Sequence, residues 1–465
     1  MTTEPTTSRL LVPVLVFLGI VSTAVAALGA PLLSTIVVVD HVSLAASQWA
    51  LTISLLVGAV TAPVLGRLGD GRLRRPVIVV TVGVVLVGCV VSALPGGFTG
   101  LLAGRALQGI GLGLVPLAIA TARDCLPADR RGSTIALLGV TTAIGIGVGY
   151  PVIGLVTEYL GMPAAFWVGA AVSALALVLA VAVLPASGDR PARHLDLPGA
   201  LLLGAGVTAV LLALAEGQSW GWGSPGLVGV AAAAVVLVAC WVWWELRVAA
   251  PLVDVRLLRH RVVLGANATV LLVGIGIYPL LSLVVRLVQT PAATGYGFGA
   301  SPLVAGLMLV PFSLAGFASN RMMRPLLRHG TPEQVVAWCS AGLLGTMVVF
   351  LFARATVWEL VIVMAMAGFG IGCVFAANPL QIVRGVPAGE TASATGFYQV
   401  LRSVGFSIGS ALSATALVVS IPSGQTLPTD AGYRTAALIG IGIMVIGTIV
   451  ALLFARRAPT GASPS

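Results

Sequence analysis

The chain has no lysine: all 25 of its basic residues are arginine, and charged residues of either sign make up only 9% of 465 positions. Soluble domains carry roughly 25% charge, so a water-exposed globular fold is excluded. Without lysine there is no Walker loop ending in Gly-Lys, which argues against an ATP-driven pump. Cysteine is scarce and odd in number, and Cys89, Cys125, Cys240, Cys339 and Cys373 are scattered, so they read as small packing residues, neither a disulfide framework nor a metal site. The four histidines, His41, His194, His260 and His329, fall in or beside polar punctuation and form no ligand cluster. No metal, cofactor or enzyme constellation emerges. Of the fifteen acids none sits securely inside an apolar run, since Glu158, Glu216, Glu245 and Glu359 all fall near the ends of such runs.

Apolar sequence is what the chain has in abundance: 58% hydrophobic residues and a mean hydropathy of +1.07. A helix needs about 20 apolar residues to cross a hydrocarbon core about 30 Å thick. Such stretches are read at 10–36, 48–66, 76–94, 99–121, 133–157, 164–184, 197–215, 225–244, 262–288, 302–320, 335–353, 357–377, 393–419 and 435–455. The first is too long for a cleavable signal core of roughly 7 to 15 residues and reads as an uncleaved span. The expected class is therefore an all-α polytopic membrane protein with fourteen transmembrane helices.

The formal charge of +10 does not point to nucleic acid, because the arginines lie in short clusters between apolar runs. Arg72, Arg74, Arg75, Arg123, Arg130, Arg131, Arg190, Arg193, Arg247, Arg256, Arg259, Arg261, Arg321, Arg324, Arg328, Arg384, Arg456 and Arg457 would share the side of the N-terminus. The other side holds Arg354 and Arg434, with Arg286 near a span end. The positive-inside rule then places both termini in the cytoplasm. Arginine without lysine, beside abundant Ala, Gly and Val, suits a GC-rich genome, and the expected location is a bacterial cytoplasmic (inner) membrane. The longest inward connection, 245–261, mixes apolar residues with Arg256 and Arg259; it reads either as an amphipathic surface helix or as a solvated linker.

Four segments carry chemistry. Between the second and third spans run Gly66, Arg67, Leu68, Gly69, Asp70, Gly71, Arg72, Leu73, Arg74 and Arg75: a small-residue turn, one acid, then an arginine cluster. Positive-inside bias explains the arginines but not Asp70. Span four carries Arg105, Gln108, Gly109, Gly111, Gly113 and Pro116, and ends near Asp124. An arginine there costs roughly 2.5 to 3.5 kcal/mol on insertion scales unless it faces the bundle interior or snorkels outward. Span five ends with Gly145, Gly147, Gly149, Tyr150, Pro151 and Gly154, small residues that let helices approach closely and a proline that kinks the end. The stretch 320–330 echoes the Asp70 loop in the second half, but without the acid.

These segments resemble the Major Facilitator Superfamily. Its signature loop is Gly-x-Leu-Ala-Asp-x-x-Gly-Arg-Arg, with Gly69 and Leu73 departing from the pattern here, and span four matches its second motif. Asp196 to Ala200, Glu216 to Trp222, Pro251 to Leu257 and Gly295 to Pro311 resemble the fourteen-span drug/proton antiporters in particular. The resemblance implies the major facilitator fold: a six-helix bundle in 1–187, two linking helices in 188–258 and a second six-helix bundle in 259–465. It implies a conformational latch of Gly66, Asp70, Arg74, Arg75 and Asp124, in which an acid against a helix N-terminus and arginines on a neighbouring helix end form in one state and break in another. It also implies coupling roles for Arg105 and Asp124. The end of span five resembles the antiporter motif imperfectly, because Tyr150 precedes Pro151 and Leu155 stands where a glycine is expected. Gly145, Gly149, Pro151 and Gly154 are the candidate hinge.

The expected activity is proton-coupled export of amphipathic small molecules, drugs or natural products, by alternating access in a monomer, with small-molecule substrate, protons and the lipid bilayer as partners. Specific metabolite transport and a non-transporting receptor or scaffold are the alternatives. Candidate lining residues, polar or aromatic and in or near spans, are Ser22, Gln108, Asn267, Tyr278, Asn378, Phe397, Tyr398, Gln399 and Arg402. Drug/proton antiporters that export cations commonly carry an acid in span one, and Ser22 occupies that position. Lacking that counter-charge, and with Arg105 and Arg402 in the interior, the chain should prefer neutral or anionic substrates.

Overall fold

The computed structural model describes residues 9–186, 194–422 and 427–456. They form helices α1 (Leu11–Ala27), α2 (Gly29–Val39), α3 (Leu44–Gly69), α4 (Arg74–Ala93), α5 (Gly97–Gly109), α6 (Leu114–Cys125), α7 (Ala128–Leu160), α8 (Met162–Val183), α9 (Leu197–Trp220) and α10 (Pro225–Glu245). After the short α11 (Val255–Leu258) come α12 (Arg261–Gln289), α13 (Pro302–Leu307), α14 (Leu309–His329), α15 (Pro332–Phe352), α16 (Val357–Gly385), α17 (Thr391–Val419) and α18 (Asp430–Arg456). Among the described residues, eleven helices are long and apolar enough to cross a membrane. The expected stretches 10–36, 133–157 and 302–320 are helical too: the first and last are interrupted, at Leu28 and Met308, and the second lies within α7.

Local chemistry sets the breaks. Span four is α5, a single 3₁₀ turn over Ile110–Gly113, then α6, and the turn falls where Gly109, Gly111 and Gly113 weaken α-helical preference. Ser43, Asp196, Ser224, Asp254, Ser301, Thr331 and Thr356 cap helix starts by accepting a backbone N–H, and Thr331 with Gln334 and Thr356 with Glu359 complete capping boxes. The segment 245–261 forms only the single turn α11. The 320–330 echo of the Asp70 loop is largely helical, because α14 continues through Leu, Met and Arg, good helix formers, to His329.

Helices α1, α7 and α8 pack together, as do α12, α15, α16, α17 and α18; α9 and α10 pair with each other, and α9 also rests on α3 and α17. Large apolar side chains such as Leu201, Val235, Ile446 and Leu453 remain exposed, as expected of surfaces turned to lipid. Contacts between the two halves of the chain run through α3 and α6 on α17 and through α7 on α14 and α16. The boundary proposed at 187/188 and the inward residues Arg190, Arg193 and Arg457 lie outside the described residues.

Candidate functional site

At the end of α3, Asp70 is 2% exposed and lies against the start of α17. Its Oδ1 accepts the N–H of Ala392 at 2.8 Å, and its Oδ2 accepts the N–H of Ser393 at 2.9 Å and the Ser393 hydroxyl at 2.8 Å. These are unpaired donors of a helix N-terminus, where negative charge is favoured. Burial nevertheless dominates and pushes the carboxyl up to about 6, against the opposing pull of those three hydrogen bonds and of Arg74. Gly66 makes the approach possible: a Cβ there would stand 2.4 Å from the Ala392 carbonyl oxygen.

Two arginines reinforce this junction. Arg67 Nη1 bonds Glu390 Oε1 at 3.0 Å and Oε2 at 2.9 Å, with the arginine side chain 3% and the glutamate 15% exposed. Arg123 donates to the carbonyls of Val386 at 3.0 Å and Pro387 at 3.2 Å and to the Thr391 hydroxyl at 2.5 Å. Arg74 stays within the first half, reaching the carbonyls of Gly69 and Ala120 and pairing with Asp124 at 2.7 Å. Arg75 bonds the carbonyl of Val181 at the end of α8.

Arg105 is completely buried, which rules out snorkelling. Its guanidinium donates to the carbonyls of Val25, Ala26 and Ala50 and to Gln108 Oε1, at 2.6 to 2.9 Å. Val25 and Ala26 precede the break between α1 and α2, so the arginine supplies donors to backbone at a helix interruption, where none can come from lipid. Gln108 bonds Gly88 and Ser92 in α4. Ser22 donates to the Gly111 carbonyl at 2.5 Å, seating α1 on the 3₁₀ turn.

Of the span-five glycines, Gly145 is pressed on α1, where a Cβ would meet Thr23 Oγ1 at 2.0 Å. Gly149 has ordinary contacts with Ala24, and Gly154 has open space. Pro151 lies within α7, and its side chain is outside the described residues.

Tyr398, Gln399 and Arg402 come together in a small pocket between the halves, with Val115, Pro116, Ile119, Gly139, Pro379 and Thr395, holding room for about one water molecule. Among the described residues Arg402 makes one hydrogen bond, Nη2 to Thr142 Oγ1 at 3.1 Å, and its guanidinium carbon stands 4.8 Å from the centroid of Phe375. Phe375 packs on Phe406 at 6.1 Å, and Phe406 on Tyr278 at 5.4 Å, so Tyr278 joins Arg402 through a row of rings. The amide of Asn378 and the Tyr398 hydroxyl face each other, buried and without a hydrogen bond of standard geometry. Asn267, on α12, is also buried with its amide unsatisfied. Phe397 instead turns toward α10 and stacks on Trp241 at 5.5 Å.

Sequence reading missed the roles of Arg67, Arg123, Thr142, Glu390 and Ser393, whose partners lie hundreds of positions away, and of Phe375, which meets Arg402 and Phe406 on the neighbouring α17. It also missed a buried acid pair at the base of α9 and α10. Glu245 accepts from Trp241 Nε1 at 2.9 Å, Asp196 accepts from Trp244 Nε1 at 3.0 and 3.1 Å, and both carboxylates lie against Gly199.

The Major Facilitator Superfamily model matches residues 15–410 and 291–465. The uncharacterized MFS-type transporter Rv1877 of Mycobacterium tuberculosis is 32% identical over 314 residues, which are 66% of this chain and 44% of that protein; the chain thus spans under half the length of that relative. The puromycin resistance protein pur8 of Streptomyces alboniger is 28% identical over 426 residues, 87% of this chain and 82% of that protein. The multidrug resistance protein Stp of Mycobacterium tuberculosis is 28% identical over 384 residues, covering 80% and 68%. In solved structures, the human organic anion transporter MFSD10 (TETRAN) shares the fold at a TM-score of 0.69 and 17% identity, covering 97% of this chain and 100% of that one. Buried arginine in apolar helices, polar contacts joining two halves of one chain and the family match lead to one conclusion: this multi-pass membrane protein belongs to the Major Facilitator Superfamily of transporters.

Proposed function

We propose that the protein is a secondary active transporter that exports amphipathic small molecules, drugs or natural products, in exchange for protons. It works as a monomer, with fourteen spans, two six-helix bundles in 1–187 and 259–465 and two linking helices in 188–258. Both termini lie in the cytoplasm of a bacterial cell. The observation that carries this reading is the junction of Asp70, Arg67 and Arg123 with residues 386–393. It consists of a few polar bonds between backbone ends and side chains, so it can open into water without exposing a dry core, which is what alternating access demands of a gate. In this reading it is the closed cytoplasmic gate, the Asp70 loop is its latch, and Arg74 with Asp124 steadies the loop. Arg105 couples by holding the break in the first span, and the end of span five, with Gly145, Gly149, Pro151 and Gly154, is the hinge, Gly145 and Gly149 being the two that face α1. The central pocket around Tyr398, Gln399 and Arg402 is where substrate enters as the halves part. Export is favoured by the antiporter-like end of span five and by relatives named for multidrug and puromycin resistance.

The test is expression in bacteria lacking their own efflux pumps, with a panel of amphipathic compounds. At least one compound should be accumulated less, in a manner abolished by a protonophore. Everted vesicles should lose their proton gradient when that compound is added. Export that persists after the gradient is collapsed would sink proton coupling.

A further inference from the structure

Arg402 is 4% exposed, lies eleven residues into a 29-residue helix and pairs with no carboxylate among the described residues. A buried cation without a counter-charge is costly, and such residues within membrane spans mark ligand sites. Its one hydrogen-bond partner, Thr142, belongs to the other half of the chain, so parting the halves frees the guanidinium further. Near it stand a buried amide and hydroxyl without hydrogen bonds of standard geometry, Asn378 and Tyr398, and the ring row of Phe375, Phe406 and Tyr278.

We propose that Arg402 is the counter-charge for the carboxylate of an amphipathic organic acid, held between the two halves with its apolar body along the Phe375, Phe406 and Tyr278 rings. A guanidinium presents parallel N–H donors that match a carboxylate, and desolvation in the closed pocket strengthens the pair. The amides of Asn378 and Gln399 and the Tyr398 hydroxyl supply further donors as the pocket widens. A quaternary ammonium head would meet a buried positive charge with no acid to offset it. The inference rests on the transport reading and adds the chemical class of its substrate.

The test uses three probes with one apolar body: 4-phenylbutyrate, 4-phenylbutanol and 4-phenylbutyltrimethylammonium, titrated onto purified full-length protein in lipid nanodiscs by calorimetry. The wild type should bind the acid at least tenfold more tightly than the ammonium compound, with the alcohol between. Arg402→Gln should lose that preference and Arg402→Lys should keep part of it. Without ligand, Arg402→Gln should unfold at the same or a higher temperature than the wild type, since it removes an uncompensated charge. Failure of the wild type to bind the acid, tighter binding of the ammonium probe, or an acid preference retained in Arg402→Gln overturns the assignment. So does a fall of several degrees in both unliganded variants, which reads Arg402 as structural. Efflux of the compound panel is measured separately, so a wrong charge class and a wrong transport reading give different results.

Discussion

The Oδ1 of Asp70 accepts the backbone N–H of Ala392 at 2.8 Å across 322 positions of sequence. This contact ties the end of α3 to the first turn of α17 and sets the acid between two pulls, a helix N-terminus that favours its charge and burial that opposes it. Burial wins, with the carboxyl at about 6 against an ordinary 3.8.

From this follows a pH dependence. In an open gate Asp70 meets water and returns toward 3.8, so closing takes up a proton. The closed gate is therefore fully favoured below about 4 and loses that advantage as pH rises through about 6, by roughly 3 kcal/mol for two pKa units. Spin labels at the exposed Arg72 and Ala388 should report a shorter distance at pH 4.5 than at pH 7.5. Asp70→Asn should abolish the difference, because an amide does not titrate, and should cut transport at least tenfold with membrane insertion retained, because one amide oxygen replaces two carboxylate oxygens that accept three donors of α17.

The Arg67 and Glu390 pair should behave as a coupled unit. Removing one partner leaves a largely buried charge uncompensated, so Arg67→Gln and Glu390→Gln should each cost about 1 to 3 kcal/mol of gate closure. The double variant should cost less than their sum, with about 1 kcal/mol or more of coupling in a double-mutant cycle. Strict additivity would show the pair to be idle.

Close approach at Gly66 should be equally demanding. With the Ala392 carbonyl 2.4 Å from any Cβ, Gly66→Val should hold the gate open and reduce transport to background. Gly154→Ala, placed in open space, should have little effect. Spin-label distances separate the two cases.

Orientation is testable with single cysteines. Gly97 and Gly221 adopt left-handed φ values of +59° and +85°, which penalise a side chain, so the neighbouring Thr99 and Gly223 are the better sites. Thr99→Cys and Gly223→Cys should react with an impermeant maleimide from outside the cell, and Ala388→Cys only after permeabilisation. Protection of Gly223→Cys in intact cells would break the fourteen-span arrangement.

At the base of the linking helices, Glu245→Gln should preserve the fold, because an amide oxygen still accepts the Trp241 N–H. Glu245→Ala should lose about 1 to 3 kcal/mol by leaving that buried donor unpaired. Thermal unfolding in detergent distinguishes the two variants.

Helix positions and the membrane class were legible in the sequence, because the bilayer imposes a length and an apolarity on each span that need no partner to be recognised. The small-residue turn at Gly66 to Asp70 and the buried arginine of span four were legible for a similar reason: acid or charge next to apolar helix is rare enough to stand out. Only the tertiary structure decided what those residues touch. Arg105 could have faced a cavity or snorkelled, and it staples the carbonyls of Val25 and Ala26. Ser22 and Gln108, expected at the substrate, bond the carbonyls of Gly111 and Gly88 on neighbouring helix segments, whereas Tyr398 and Arg402 line the small pocket between the halves. The physical reason is that local pattern fixes which face of a helix is polar, while the partner of that face is set by helix packing across hundreds of residues. Glu390 and Thr142 acquire meaning only when α17 comes to lie against α3 and α7.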